Sequence, residues 1–204
     1  MTYLNKEEIM KKRLLLILVV LTGMFLLSAS IVWAQPAPVA KTGQTTSYLA
    51  GDDGDLEKGV AWPNPRFTDN GDGTVTDNLT GLMWAKDADI DIPDTSETWM
   101  LSIDFAENLS LGNAGCGASY TDWRLPNVNE MRSLIDYGNY SPALPSDHPF
   151  INVLYNNYWT SSEYSADSTL AWHVKLFSGD TGTTRRTLAQ PESVMYTFAV
   201  RGGN

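Results

Sequence analysis

Turn-forming residues set the tightest limit on what this chain can fold into. Sixteen Gly and ten Pro are spread over 204 residues, breaking the pattern with Asn-Gly, Asp-Gly, Thr-Gly and x-Pro pairs. A chain punctuated in this way makes frequent turns, short strands and few long helices. Large side chains are nevertheless abundant: seven Trp, nine Tyr and six Phe give a core without many aliphatic residues. Cys116 is the one cysteine, which excludes an intrachain disulfide framework and a zinc site built on several thiolates. The fold must therefore hold by packing. No repeat of the solenoid or propeller kind is present.

Lys11, Lys12 and Arg13 precede an uncharged apolar run, LLLILVVLTGMFLLSASIVWA, at residues 14–34. Such a segment meets the export machinery. Val32 and Ala34 place small residues where signal peptidase needs them, and the following Gln-Pro cannot continue a helix. Residues 1–34 are thus expected to be a cleaved signal peptide, with an uncleaved N-terminal anchor as the competing reading. Either way the remainder is expected outside the cytoplasm: periplasmic, at the cell surface or secreted. Contact with a membrane is then limited to residues 14–34, if uncleaved. Residues 35–40, QPAPVA, read as a short extended linker, and 41–204 as one domain.

The whole chain carries 14 basic and 24 acidic residues, net −10; without residues 1–34 the balance is ten against twenty-two, net −12. That charge opposes nucleic acid and, at long range, sulfated glycans and anionic lipid.

Residues 41–65 are Gly-rich and irregular and read as an ordered loop edge. Residues 66–88, RFTDNGDGTVTDNLTGLMWAKDA, place β-prone pieces at Phe67, Thr74 to Thr76 and Leu82 to Trp84 between tight turns, which predicts a β-meander. Residues 97–111 space Trp99, Ile103 and Ala106 as an amphipathic helix. A short strand is expected over 122–126, followed by a helix from Val128 to about Tyr137, capped by Asn127 with Glu130 closing a capping box. Its buried face is Met131, Leu134 and Ile135. The loop SPALPSDHPF at 141–150 is irregular because its prolines forbid regular structure. Strand-like runs YWTSS, LAWHVKLF and YTFAVR fill residues 158–201. The fold class is α+β: two short helices with an antiparallel, irregular, β-rich remainder.

Several constellations carry competing readings. Asp69, Asp72 and Asp77 around Asn-Gly and Asp-Gly offer carboxylates for Ca²⁺. Their register does not match an EF-hand loop, since Gly71 and Gly73 occupy the third and fifth positions; hairpin chemistry explains them as well. No cofactor is otherwise expected. His148 and His173 lack spacing for a metal pair, no Gly-x-Ser-x-Gly elbow is present, and no two carboxylates stand out as an acid–base pair. No catalytic residue is assigned, and the chain is expected not to be an enzyme. Cys116 between glycines is a free thiol, an intermolecular bridge or, the favoured reading, a small buried residue. In TDWRLPNVNEMRSLIDY, Arg124 lies close to the interior and must find acids or carbonyls. Glu130, Asp136 and Arg201 are candidate members of its network, so Arg124→Met should lower thermal stability.

These residues also carry a resemblance. KTGQTTSY at 41, GVAWPNPRFTDNGDGTVTDNLTGLMW at 59, CGASYTDWRLPNVNEMRSL at 116, HPF at 148, YWTSS at 158, AWHV at 171 and VRGG at 200 resemble the Lcl C-terminal domain family, named for the C-terminal domain of the Legionella collagen-like adhesin. The resemblance marks Asp122, Trp123, Arg124, Leu125, Pro126, Glu130, Tyr158, Trp159 and Arg201 as family-motif structural positions. It implies a C-type-lectin-like fold distantly similar to formylglycine-generating enzymes. Those enzymes need a cysteine pair, which this chain lacks, so their chemistry does not carry over. Some relatives also have cysteines near the KTGQTT segment, where this chain has Ser47 and Tyr48.

For the adhesin the implied role is binding sulfated polysaccharide with help from basic residues and a collagen-like stalk. Here no Gly-x-y repeat exists and −12 has the wrong sign for heparin. The expectation is an exported, non-catalytic module that binds an extracellular or envelope glycan or protein, with no binding residue assigned. Trp62, Trp99 and Trp159 are contacts only if exposed. The alternative is a structural or assembly component of the envelope acting through protein contacts. An enzyme reading would need a pocket with several strongly perturbed titratable groups.

Overall fold

A computed structural model describes residues 6–8, 10–11, 39–89, 98–109, 120–187 and 194–202. The chain divides into two units, Met1–Pro36 and Ala37–Asn204. In the first, residues 6–8 and 10–11 are helical and Lys11 pairs with Glu7 one turn away. Residues 14–34, with Val32 and Ala34, lie outside the described residues, as does Cys116. Among those described, no helix is long and apolar enough to cross a membrane.

The second unit is α+β. Its helices are α1 (Asp53–Leu56), α2 (Trp99–Glu107) and α3 (Val128–Ser133); its strands are β1 (Phe67–Asp69), β2 (Thr74–Asp77), β3 (Met83–Ala85), β4 (Asn157–Glu163), β5 (Leu170–Lys175), β6 (Thr181–Arg185), β7 (Met195–Tyr196) and β8 (Val200–Arg201). The strands form two four-stranded sheets, ordered β1-β2-β3-β8 and β6-β5-β4-β7. The predicted meander is the first sheet, its hairpins antiparallel in the register Thr68↔Thr76 and Val75↔Trp84, closed by β8 against β3. Gly71 and Gly73, at φ 76° and 83°, supply the left-handed backbone its first hairpin needs.

The second sheet departs from the expected antiparallel pattern at one seam. β4 pairs with β7 in parallel, Asn157↔Met195 and Tyr158↔Tyr196. β6 and β7 are opposite edges running in the same direction, so the chain crosses from one edge to the other between them.

Three element boundaries also differ, each for a local reason. The 97–111 helix spans only Trp99–Glu107: Thr98 caps its start, and the Asn108 side chain turns back onto Asp104. Residues 110 and 111 lie outside the described residues. The 122–126 strand reduces to a single bridge, Arg124↔Val200, because Pro126 has no N–H for the next rung. The helix at Val128 has its expected capping box but stops at Ser133. Beyond it the Asp136 N–H goes to Ala143 and the Tyr137 N–H to Thr42, so tertiary partners replace the helical ones. The helix α1, in the segment read as irregular, forms because the Asp52 side chain accepts from Asp55 N–H.

Phe198 joins the two sheets, touching Trp84 of β3 at 5.1 Å between centroids, Phe150 at 5.3 Å and Tyr158 of β4 at 6.1 Å. Trp84, Tyr158, Trp159, Met131, Leu134, Val174 and Leu176 are fully buried around it. A single aromatic-rich core thus forms without a disulfide among the described residues, as composition requires.

Candidate functional site

The family-motif residues form a clamp. Arg124 exchanges both backbone bonds with Val200, and its guanidinium takes Glu130 in a bidentate pair at 2.8 and 2.6 Å, with Nη2 also donating to the Gly202 carbonyl. Glu130 at the same time accepts the Asn127 N–H of the capping box. Burial alone would raise the Glu130 carboxyl, but Arg124 and the Asn127 N–H hold it below the usual range. Next to this pair Arg201 grips Asp122 through Nε and Nη2 and lies 3.9 Å from the centroid of Tyr120. Asp136 takes no part in either. Trp123, Leu125 and Pro126 are buried beneath the clamp, and Tyr158 and Trp159 sit deep in the core.

Arg124, Glu130, Arg201 and Asp122 thus tie the C-terminal strand to the α3 region, over a buried layer of Trp123, Leu125 and Pro126, while Tyr158 and Trp159 belong to the core of the second sheet. Glu130→Gln is expected to lower unfolding free energy by about 1.5–3 kcal/mol, since it breaks a charge-assisted pair. Arg124→Met should cost slightly less, because the Arg124 side chain is more exposed than that of Glu130, 37% against 15%. Urea unfolding of the two variants checks this, and a loss within error for both would show the pair to be dispensable.

The acidic turn is committed to other partners. Asp69 pairs with Lys86 at 2.7 Å and accepts the Gly71 N–H; Asp72 accepts from Thr74; Asp77 is buried against Arg66. No group of three or more His, Cys, Asp or Glu side chains that could hold a metal occurs among the described residues.

A cleft of about 310 Å³ opens elsewhere, between residues 43–48 and residues 136–139, with Ser146 at its edge. That volume is at the lower end of the roughly 300–1,000 Å³ found for small-ligand sites. One wall is set by close backbone contacts. Gly43 has φ 91°, and a Cβ there would lie 2.1 Å from Asp136 Oδ1; only glycine fits. The Tyr137 N–H donates to the Thr42 carbonyl, and a Cβ on Gly54 of α1 would strike the Thr46 carbonyl at 2.1 Å. Thr42 Oγ1 donates to Asp53 of the same helix. The segment 42–46 is therefore trapped between α1 and the turn after α3.

At the cleft floor Asp136 accepts from Gly138 N–H at 2.8 Å and from Asn139 Nδ2 at 3.0 Å. Burial pushes its carboxyl up, against the pull of the Gly138 N–H and the charge of Arg66. Gln44, Thr45, Thr46, Asn139 and Ser146 add amides and hydroxyls, while Tyr48, 88% exposed, and Tyr137, 42% exposed, stand at the rim. The lining has one carboxylate and no basic side chain. Such a cleft can hydrogen-bond an uncharged polar ligand and stack against its apolar faces.

The three tryptophans named as contacts only if exposed are not in the cleft lining. Trp159 is fully buried, Trp99 is 8% exposed, and half-buried Trp62 donates to the Lys41 carbonyl beneath Arg66. The rim is made of tyrosine, which pattern reading passed over. KTGQTTSY, a run of small polar residues with no apolar periodicity to explain it, was the available signal. Neither His148, two residues beyond Ser146, nor His173 is part of the cleft lining, and burial is the first cause that lowers the pKa of each.

A family model described as the Lcl C-terminal domain matches residues 73–201. The cleft's turn at 136–139 falls inside that span and its 43–48 wall outside it. No curated protein matches the chain.

Proposed function

The chain belongs to the Lcl C-terminal domain family, and on that premise we propose that it is an exported, non-catalytic binding module that takes a glycan in the cleft between residues 43–48 and 136–139. It works in the periplasm, at the cell surface or after secretion, on a C-type-lectin-like scaffold. The observation that carries this reading is the cleft lining: amides and hydroxyls around one largely buried carboxylate, with tyrosines at the rim. A pyranose offers hydroxyls at its edge and C–H groups on its faces, which such a lining matches. The absence of basic side chains from the lining and the net charge of −12 over residues 35–204 favour an uncharged glycan over a sulfated one. The non-catalytic reading is supported by the same lining. Asp136 is its one perturbed acid, whereas acid–base chemistry on a glycosidic bond needs a second carboxyl facing it.

The test is binding of the intact chain to a panel of neutral and sulfated glycans, with Ca²⁺ and with chelator. Selective binding of neutral members is expected in both conditions. Tyr48→Ala, at an exposed position that leaves the core untouched, should weaken it by about tenfold or more, or about 1.4 kcal/mol. Asp136→Asn should weaken it too. Binding to sulfated members alone, or none at all, would turn attention to envelope assembly through protein contacts, to be sought by cross-linking.

A further inference from the structure

We propose that the cleft continues onto an aromatic platform made by Tyr140, Phe177 and Tyr155, and that the two together hold several consecutive units of an uncharged polysaccharide. This deepens the glycan reading of the cleft and rests on it.

Tyr140 and Tyr155 are each 66% exposed, although large aromatic faces are costly to leave in water. They are arranged rather than scattered. Tyr140 lies 4.4 Å from Phe177 between centroids at 59°, and Tyr155 lies 6.3 Å from the same ring at 88°. The Ser141 N–H donates to the Phe177 carbonyl at 2.9 Å, which fixes the turn bearing Tyr140 to the turn after β5. Platform and cleft share one piece of chain: Asn139 belongs to the cleft wall, and Tyr140 is the next residue. Tyr137, also in the wall, packs over Gly179, where a Cβ would lie 3.4 Å from the tyrosine ring.

The occupant follows from the side chains. A patch for an apolar helix would be built from Leu, Ile or Met, whereas here each exposed ring carries a hydroxyl. A polar cleft whose wall residue Asn139 adjoins Tyr140 in the chain suits, together with these rings, a repeating ligand in which every unit has a hydroxyl rim and a C–H face. An anionic polymer meets no cation in the cleft lining, and Asp136 opposes it. A single sugar would leave the platform unused.

The test is titration calorimetry of the intact chain with β-1,4-linked N-acetylglucosamine oligomers and β-1,4-linked glucose oligomers of two, four and six units. For the series that binds, affinity should rise about tenfold or more from two units to six. In the Tyr140→Ala/Tyr155→Ala variant that rise should vanish while two-unit binding stays unchanged, both positions being exposed and outside the cleft. Length-independent binding by the unaltered chain, or a rise that survives in the variant, overturns the platform and leaves the cleft reading standing. No binding of either series by the unaltered chain overturns both. Sedimentation showing an oligomer that the double variant dissociates would assign the platform to contact between copies of the chain, which also overturns the proposal.

Discussion

Asp77→Ala is expected to lower unfolding free energy by about 3–5 kcal/mol, the range for removing one partner of a buried ion pair. Asp77 is fully buried and Arg66 is 3% exposed. Arg66 Nε and Nη2 meet the two carboxylate oxygens at 2.8 and 3.1 Å, and the same carboxylate accepts the Leu79 N–H and the Thr80 hydroxyl. Four donors lose their acceptor when it goes. The guanidinium would be left with only the Ser133 carbonyl, at 2.8 Å, and the faces of Trp62 and Phe67, both within 5 Å. Its Nη1 already lacks a hydrogen-bond partner among the described residues, so the site has no slack.

The size of this loss reflects an uncompensated charge rather than the net worth of the pair, and a second variant separates the two. Arg66→Met/Asp77→Leu removes both charges while keeping apolar volume, and should recover most of the stability lost in Asp77→Ala. Urea unfolding of the intact chain measures each value. A loss under about 1 kcal/mol for Asp77→Ala would mean that water reaches the pair in solution.

This pair also shows where sequence stops being readable. Asp77 was legible as an acidic residue in a turn-rich stretch, and Ca²⁺ was one reading of it. Nothing local in RFTDNGDGTVTD says that Arg66, eleven residues earlier and just ahead of β1, has its head turned inward onto Asp77. The meander itself was legible, because Asn-Gly and Asp-Gly impose positive φ locally. The capping box at Asn127 and the buried Met131, Leu134 and Ile135 were legible for the same reason. Lost were the features decided by distant partners: the early end of α3, set by Thr42 and Ala143, and the parallel β4–β7 seam, set by a crossing at the far end of the chain.

The cleft was lost in the same way. Its walls are ninety residues apart in sequence, and neither contains a motif with its own chemistry. Asp136 was legible only as an acid near Arg124, and it points instead at Gly43. The exposed tyrosines carried no local signal, since an aromatic side chain in a turn-rich chain reads equally as core or surface. In fact Trp84, Trp99, Trp123 and Trp159 are all taken by the core. A chain without disulfides needs its largest side chains for packing, which leaves the amphipathic tyrosines for the surface.

Acidification should destabilise the chain through His173 as the pH falls below about 6.5. The ring lies on β5, 7% exposed, over Gly182, whose Cβ would come within 2.9 Å of it; Nδ1 shares a hydrogen bond with Thr184 Oγ1 at 3.2 Å. Burial, and after it the charge of Lys175, lowers its pKa from 6.5 to about 4. The unfolded chain therefore takes up this proton first. Stability is full above about pH 6.5 and falls as the pH drops toward 4, since protonation in that interval favours the unfolded state. At pH 5 the loss should be about 2 kcal/mol, at 1.36 kcal/mol for each pH unit below the unfolded value. Glu130 and Asp122, held low by their arginines, keep their contribution there and lose it only at lower pH. Asp136, pushed up by burial, acts in the opposite sense, becoming easier to bury as it protonates. Comparing variants cancels such shared terms. His173→Gln keeps a partner for Thr184 but does not titrate, so its unfolding midpoint should change much less between pH 7 and pH 5 than that of the unaltered chain. Parallel pH profiles for the two proteins would show that the His173 ring is hydrated and carries no such penalty.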